Sequence, residues 1–268
     1  MRIVLYTRGT TGDVIPHATI ARHMIKNGHH VLVLANSNLK TIFDDFDVPF
    51  VACGTDSRKN IAQNATSLFQ DDKHANHFLT MHKNIDQNNR CEVLLQEAIK
   101  FGAERIMCHL FCFHICFSVA EKLDIPITRL DYKPSLKTKE FPHWLVSKSP
   151  FDYDLAPYML EYMHKKSYDY VVSTHFEVIN EKINVFRKNQ KLPEITTEEY
   201  LKKFHSSDAI LGFSSDVVPI PKDYAKNIIV TPPWIDDRED TREISPELQK
   251  FIDNGSAPVF VSWGSMSA

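Results

Sequence analysis

Short apolar runs alternate with amphipathic stretches along most of the chain. Ile3-Val4-Leu5-Tyr6 is a β-prone run of the kind buried on both faces of a parallel sheet. The polar turn Gly9-Thr10-Thr11-Gly12-Asp13 follows. Pro16 then suits a helix's first turn, and Ala18, Ala21 and Ile25 recur at helical spacing until Asn27-Gly28 stops the helix. Residues 30–35 read as a second strand, Ser37 as the cap of a helix running to Phe46, and residues 48–52 as a third strand. From Gly54 to about Asn89 the pattern weakens into a polar, variable surface region with some helix. Periodicity returns with a helix at 92–101 ended by Gly102, a strand at 105–108, a helix at 112–123 and a strand at 125–130. A long loop at 131–149 precedes helices at 153–166, 169–188 and 197–205 and strands at 208–212 and 228–230. Ser245-Pro246-Glu247 opens a helix with capping chemistry, Asn254-Gly255 closes it, and Val259-Phe260-Val261-Ser262-Trp263 reads as a last strand.

Strands alternating with helices predict an α/β fold: a doubly wound, mostly parallel Rossmann-like sheet flanked by helices. The last predicted strand runs into Gly264-Ser265 with no helix behind it, as in a βα unit severed at its phosphate-binding corner. The expected organisation is therefore one domain over residues 1–235. Residues 236–268 would form a linker and the first strand of an incomplete second domain.

Composition narrows the function classes. With 268 residues, 43% apolar and 24% charged, the chain is an ordinary globular one able to build a core without staples. A net charge of −3 gives no footprint for nucleic acid. No apolar run approaches the ~18 residues of a membrane span, and Met1-Arg2 leads into a strand rather than a signal peptide. Five cysteines, an odd number in apolar surroundings, fit reduced thiols and a cytoplasmic location.

The first βα turn carries the candidate chemistry. In a parallel sheet the ligand site lies outside the carboxyl ends of the strands, and two glycines let this turn approach a ligand beside a helix's positive end. Asp13 could accept a proton there; its bland alternative is a helix N-cap. The dinucleotide fingerprint G-x-G-x-x-G is absent, which disfavours a Rossmann oxidoreductase.

Gly9-Thr10-Thr11-Gly12-Asp13-Val14-Ile15-Pro16-His17 resembles the Gly-(Ser/Thr)-x-Gly-Asp-x-x-Pro signature of one glycosyltransferase group. These are the GT-B-fold enzymes that glycosylate sterols and antibiotic aglycones, relatives of the UDP-glycosyltransferases. Further segments are similar to that group in the same order: Gly28-His29-His30-Val31, Val119 to Pro126, Pro232-Pro233-Trp234, and Pro258 to Met266. The resemblance implies an N-terminal, acceptor-side domain and an inverting transfer from a nucleotide-sugar, UDP- or dTDP-linked, with no cofactor and no metal. It implies Asp13 as general base, Thr10, Gly12 and Ser265 near the donor phosphates, and His17, His109 and Phe111 at the acceptor. The acceptor would be a lipophilic small-molecule hydroxyl, with peripheral membrane contact as one route to it. The donor-binding C-terminal domain would be the missing partner, so the chain alone should be inactive. The alternative is a non-catalytic acceptor-binding half-protein. Where many members of the group carry Arg before the second glycine this chain has Thr11, and its Arg8 lies three residues earlier, directed elsewhere.

Other clusters read as structural. Cys108, Cys112 and Cys116 lie among Leu110, Phe111, Phe113, Ile115 and Phe117, a setting for core thiols rather than metal ligands. His74, His77 and His82 sit in the polar region and read as solvated surface; Phe69 and Phe78 there are candidates for lining an acceptor pocket. Lys139-Glu140-Phe141-Pro142, in the long loop, resembles an x-Glu-Phe-Pro element of the sterol-type members; the loop reads either as a cover over the acceptor or as an ordinary surface excursion.

Overall fold

A computed structural model describes residues 1–57, 59, 86–146, 156–238 and 243–262. Among them seven strands form one parallel sheet: β1 (Arg2–Tyr6), β2 (His30–Ala35), β3 (Phe50–Ala52), β4 (Arg105–His109), β5 (Ile127–Asp131), β6 (Asp208–Gly212) and β7 (Ile228–Thr231). Their order is β3-β2-β1-β4-β5-β6-β7. The chain winds outward from β1 to β3, then returns to place β4 on the other side of β1. The topological switch point, where a doubly wound sheet opens its ligand crevice, therefore falls between the carboxyl ends of β1 and β4.

The unbroken apolar runs of the strands are explained by helices on both faces. Ile3 and Leu5 of β1 pack with α1 (Thr11–Lys26) and α2 (Lys40–Asp45). Val4 and Tyr6, one residue out of step, join the larger core under α3 (Gln87–Phe101), α4 (Phe113–Leu123), α5 (Pro157–Asn189) and α6 (Thr197–Ser206). That core includes a close stack of Phe176 on Tyr200, with ring centroids 3.8 Å apart. Phe176 is fully buried, so Phe176→Ala is expected to destabilise the fold by about 3–5 kcal/mol, read as a lowered urea midpoint.

Three sequence expectations need correcting. The helices expected at 153–166 and 169–188 are one 33-residue helix, α5 (residues 153–155 lie outside the described set). Ser167 and Tyr168, where the pattern suggested a break, are buried instead, and the Ser167 hydroxyl accepts the His143 N–H at 2.7 Å and donates to the His164 carbonyl at 2.6 Å. The first βα helix starts at Thr11, so Gly12 and Asp13 stand in its first turn rather than in the preceding loop. Residues 257–262 form no strand: Val259 and Phe260 are 88% and 89% exposed, beside a helix α7 (Pro246–Asp253) with no buried residue. A strand exists only by pairing, and no described strand lies along this segment.

Candidate active site

The loops leaving β1, β4 and β5 meet at the switch point, and they bring together most of the residues singled out from the sequence. Gly9 has φ +126°, a conformation that side chains rarely adopt, and a Cβ there would lie 2.2 Å from Asp13 Oδ2. The bare glycine lets the carboxylate fold back over the turn. Its Oδ2 accepts the Thr10 N–H at 2.6 Å and the Thr10 hydroxyl at 3.0 Å. The N-cap is thus Thr10, not Asp13; Asp13 sits at the third helical position, where a carboxylate also meets the positive end of the helix dipole.

A residue that sequence reasoning missed holds the other oxygen. The Tyr132 hydroxyl, just beyond β5, donates to Asp13 Oδ1 at 2.5 Å. Burial, reinforced by the Asp13 charge, pushes the Tyr132 phenol far up, so it stays a donor. The carboxylate is fixed at both oxygens yet half-buried, and Oδ1, which accepts only from Tyr132, keeps a lone pair for a ligand hydroxyl. Gly12 is exposed, and a Cβ there would meet nothing nearer than the Thr10 hydroxyl oxygen at 3.9 Å.

His17 is fully buried one turn further on. Its Nδ1 lies 2.7 Å from the Asp13 carbonyl oxygen and 3.1 Å from the Thr7 hydroxyl. A carbonyl only accepts, so Nδ1 carries the proton, and burial lowers the ring's pKa and keeps it neutral. His109, at the end of β4, packs edge-on to His17 at 5.1 Å and stacks on Tyr132 at 5.7 Å, with Phe111 edge-on at 5.4 Å. Burial, with the neighbouring His17, Lys133 and Arg8, holds His109 well below its ordinary range, and neither ring nitrogen has a hydrogen-bond partner among the described residues. His17, His109 and Phe111 thus form a neutral aromatic wall beside Asp13. Trp234 adds to it, 6.1 Å from His17, and its indole occupies the space a side chain on Gly212 would need.

Asp131, the last residue of β5, is buried next to Tyr132. It accepts from the Tyr132 N–H at 2.8 Å and from the Ser135 hydroxyl, yet burial pushes its carboxyl up to about 6, against the opposing pull of Lys133 and these hydrogen bonds. Between the ordinary carboxylate range and about pH 6 the folded chain holds a proton that the unfolded chain has lost, so this group makes stability fall as pH rises. Asp131→Asn is expected to remove that slope. Thermal melts from pH 4 to 7 should show the variant gaining on the parent by up to about 3 kcal/mol across the window.

The remaining sequence candidates divide cleanly. Ser265, Phe69, Phe78, His74, His77 and His82 lie outside the described residues. Cys108, Cys112 and Cys116 are free thiols buried in the core, as their apolar neighbours suggested. The loop after β5 is tied down through Asp223, which accepts from the Thr138 hydroxyl at 2.5 Å and the Lys139 N–H at 2.9 Å; Glu140 takes the Lys222 N–H at 2.7 Å. Arg8 keeps its Nη1 sealed from solvent with no hydrogen-bond partner among the described residues. Its charge acts on Asp13 and, on the other side, on His109, His114 and His175. Tyr132 lay within a loop already flagged for the acceptor, but its spacing carried no signal for a partner 119 residues away.

No protein-family model matches the chain. Two sterol 3-beta-glucosyltransferases of Arabidopsis thaliana are 27% identical over 277 residues and 28% identical over 293 residues, in each case across 99% of this chain. Across nearly its whole length the chain is similar to sterol 3-beta-glucosyltransferases. It spans 43% and 41% of those two plant relatives, and 21% of a sterol 3-beta-glucosyltransferase of Saccharomyces cerevisiae that is 22% identical over 98% of this chain. Among solved structures, the calicheamicin glycosyltransferase CalG4 superposes with a TM-score of 0.57 at 9% identity, over 87% of this chain and 52% of that one. The kitacinnamycin glycosyltransferase gives 0.55 at 11% identity, over 91% and 54%. At such identities the structural likeness shows the shared GT-B-type fold alone, with which the sheet order and switch point agree.

Proposed function

We propose that this chain is the acceptor-binding half of an inverting glycosyltransferase, moving a sugar from a nucleotide-sugar to the hydroxyl of a lipophilic small molecule of sterol type. The observation that carries the reading is the doubly anchored Asp13 carboxylate at the switch point, half-open to the crevice and walled by neutral aromatic rings. The acceptor O–H gives its proton to Asp13 as the oxygen attacks the anomeric carbon. The bond from that carbon to the diphosphate breaks with its electron pair, and the configuration inverts. Burying His17 and His109 uncharged suits an apolar ring system, since charged imidazoles would oppose its desolvation. The open backbone at Gly12 is where donor phosphates would approach. The Thr10 proton is spent on Asp13, so its hydroxyl reaches a phosphate only by rotating away.

The test is transfer itself. The chain, joined to the remaining length of one of its plant relatives, should transfer from UDP-glucose or a dTDP-sugar to a sterol and yield the inverted glycoside by NMR. Retention of configuration, or no transfer from any nucleotide-sugar while sterols still bind, would refute the catalytic reading; the latter result leaves an acceptor-binding half-protein.

A further inference from the structure

Beside the aromatic wall stands a cation that the proposed reaction does not use. Lys133 directly follows Tyr132 and is partly buried. Its Nζ lies 4.0 Å from the ring centroid of Trp144, 5.2 Å from that of Tyr132 and 5.8 Å from that of Phe111. All three distances fall within the roughly 6 Å over which a ring face attracts a cation. The rings come from separate places: Phe111 from the turn after β4, Tyr132 from the end of β5, and Trp144 from the loop beyond it. Trp144 is 44% exposed and stacks on His143 at 5.7 Å. Two other lysines of that loop have carboxylate partners, Lys137 with Asp169 at 2.7 Å and Lys139 with Glu161 at 3.2 Å. Among the described residues Lys133 has no ion pair, since no carboxylate oxygen lies within 4.0 Å of its Nζ. The three rings hold it instead.

Aromatic rings converging beside a carboxylate are the chemistry that binds organic cations, quaternary ammonium groups above all. This site has both parts, because the hydroxyl of Tyr132, one of the three rings, donates to Asp13 at 2.5 Å. A crevice suited to a neutral alcohol would therefore attract a cationic one as well. Lys133 removes that attraction from within the chain. An incoming cation meets a like charge, and the ring faces that would hold it are already engaged. A neutral ring system is spared the repulsion, since it gains from burial of apolar surface rather than from charge. We infer that Lys133 is a specificity-determining residue: by filling the cage of Phe111, Tyr132 and Trp144 it excludes cationic alcohols from the acceptor site and leaves it to neutral lipophilic ones. This deepens the acceptor-binding reading and rests on it. The same positive charge helps to keep His109 and His143 neutral, so no further cation develops beside the rings.

The experiment empties the cage and offers it a cation. Tetramethylammonium is titrated by NMR into the chain and into Lys133→Met, which keeps the length of the side chain without its charge. The variant should bind the ion about tenfold or more tighter than the parent. Lys133→Arg, still cationic, should stay like the parent, and adding Trp144→Ala to Lys133→Met should remove the gain. Lys133→Gln repeats the test if Lys133→Met lowers the thermal midpoint. A role for Lys133 in merely fastening the loop predicts no such gain. Equal affinity of parent and neutral variants for the ion would overturn the proposal. The second arm places the cage. In Lys133→Met, tetramethylammonium should displace dehydroergosterol, followed by the sterol's own fluorescence. An ion that binds without displacing the sterol would put the cage outside the acceptor site and refute the specificity role. Sterol binding and transfer by the parent sequence do not depend on either result, so failure here is distinguishable from failure of the acceptor-binding reading.

Discussion

Asp13→Asn is expected to lower transfer by about 10²–10⁴-fold, the usual worth of a positioned general base. The substitution keeps size and shape but removes the ability to take a proton. The fold should persist: an amide oxygen can still accept from Thr10 or from Tyr132, though not from both, because Oδ2 now serves the Thr10 N–H and hydroxyl while Oδ1 serves the Tyr132 hydroxyl. One lost cap-type hydrogen bond corresponds to roughly 1 kcal/mol, visible as a modest drop in thermal midpoint. The informative comparison is kcat/KM with acceptor binding measured alongside. A fall confined to the chemical step, with sterol affinity unchanged, assigns the loss to proton transfer. Full activity in this variant would remove Asp13 from the mechanism.

Gly9→Ala should be nearly as damaging, although Gly9 contributes no functional atom. The new methyl would need the space of Asp13 Oδ2 and Cγ, which lie 2.2 and 2.6 Å from its position, on a backbone already at φ +126°. Relief requires the turn to rearrange or the carboxylate to swing out and surrender both Thr10 contacts. Strain of this kind amounts to about 1–3 kcal/mol, and displacing a catalytic group by about 1 Å commonly costs on the order of 10²-fold in rate. Stability and activity should therefore fall together, unlike the Asp13→Asn pattern. Urea unfolding and steady-state kinetics on the same preparation separate the two. If Gly9→Ala transfers normally, the carboxylate does not need the folded-back position.

Both effects arise at a turn whose importance is readable in the chain. Ile3-Val4-Leu5-Tyr6 and residues 30–35 announced doubly buried parallel strands because only a sheet covered on both faces tolerates unbroken apolar runs. The glycine pair around Thr10 and Thr11 marked the crevice, and His109 and Phe111 were legible because they follow a strand at its carboxyl end. These signals are local: each depends on side-chain period or on backbone freedom over a few residues.

The three-dimensional arrangement decided the rest. Tyr132 meets Asp13 only because β5 lies two strands from β1 in the sheet, an ordering that no periodicity encodes. Arg8 has its Nη1 sealed from solvent, a burial that strand alternation alone does not give. Ser167 and Tyr168 continue α5 because the loop before it buries them, overriding a weak local break. Residues 259–262 carry strand composition yet form no strand, since composition supplies propensity while pairing requires a neighbour. The sequence by itself determined the α/β alternation and the position of the glycine turn, because these follow from interactions between near neighbours. Which side chains converge on Asp13 was decided by strand order and helix packing, which join segments far apart in the chain.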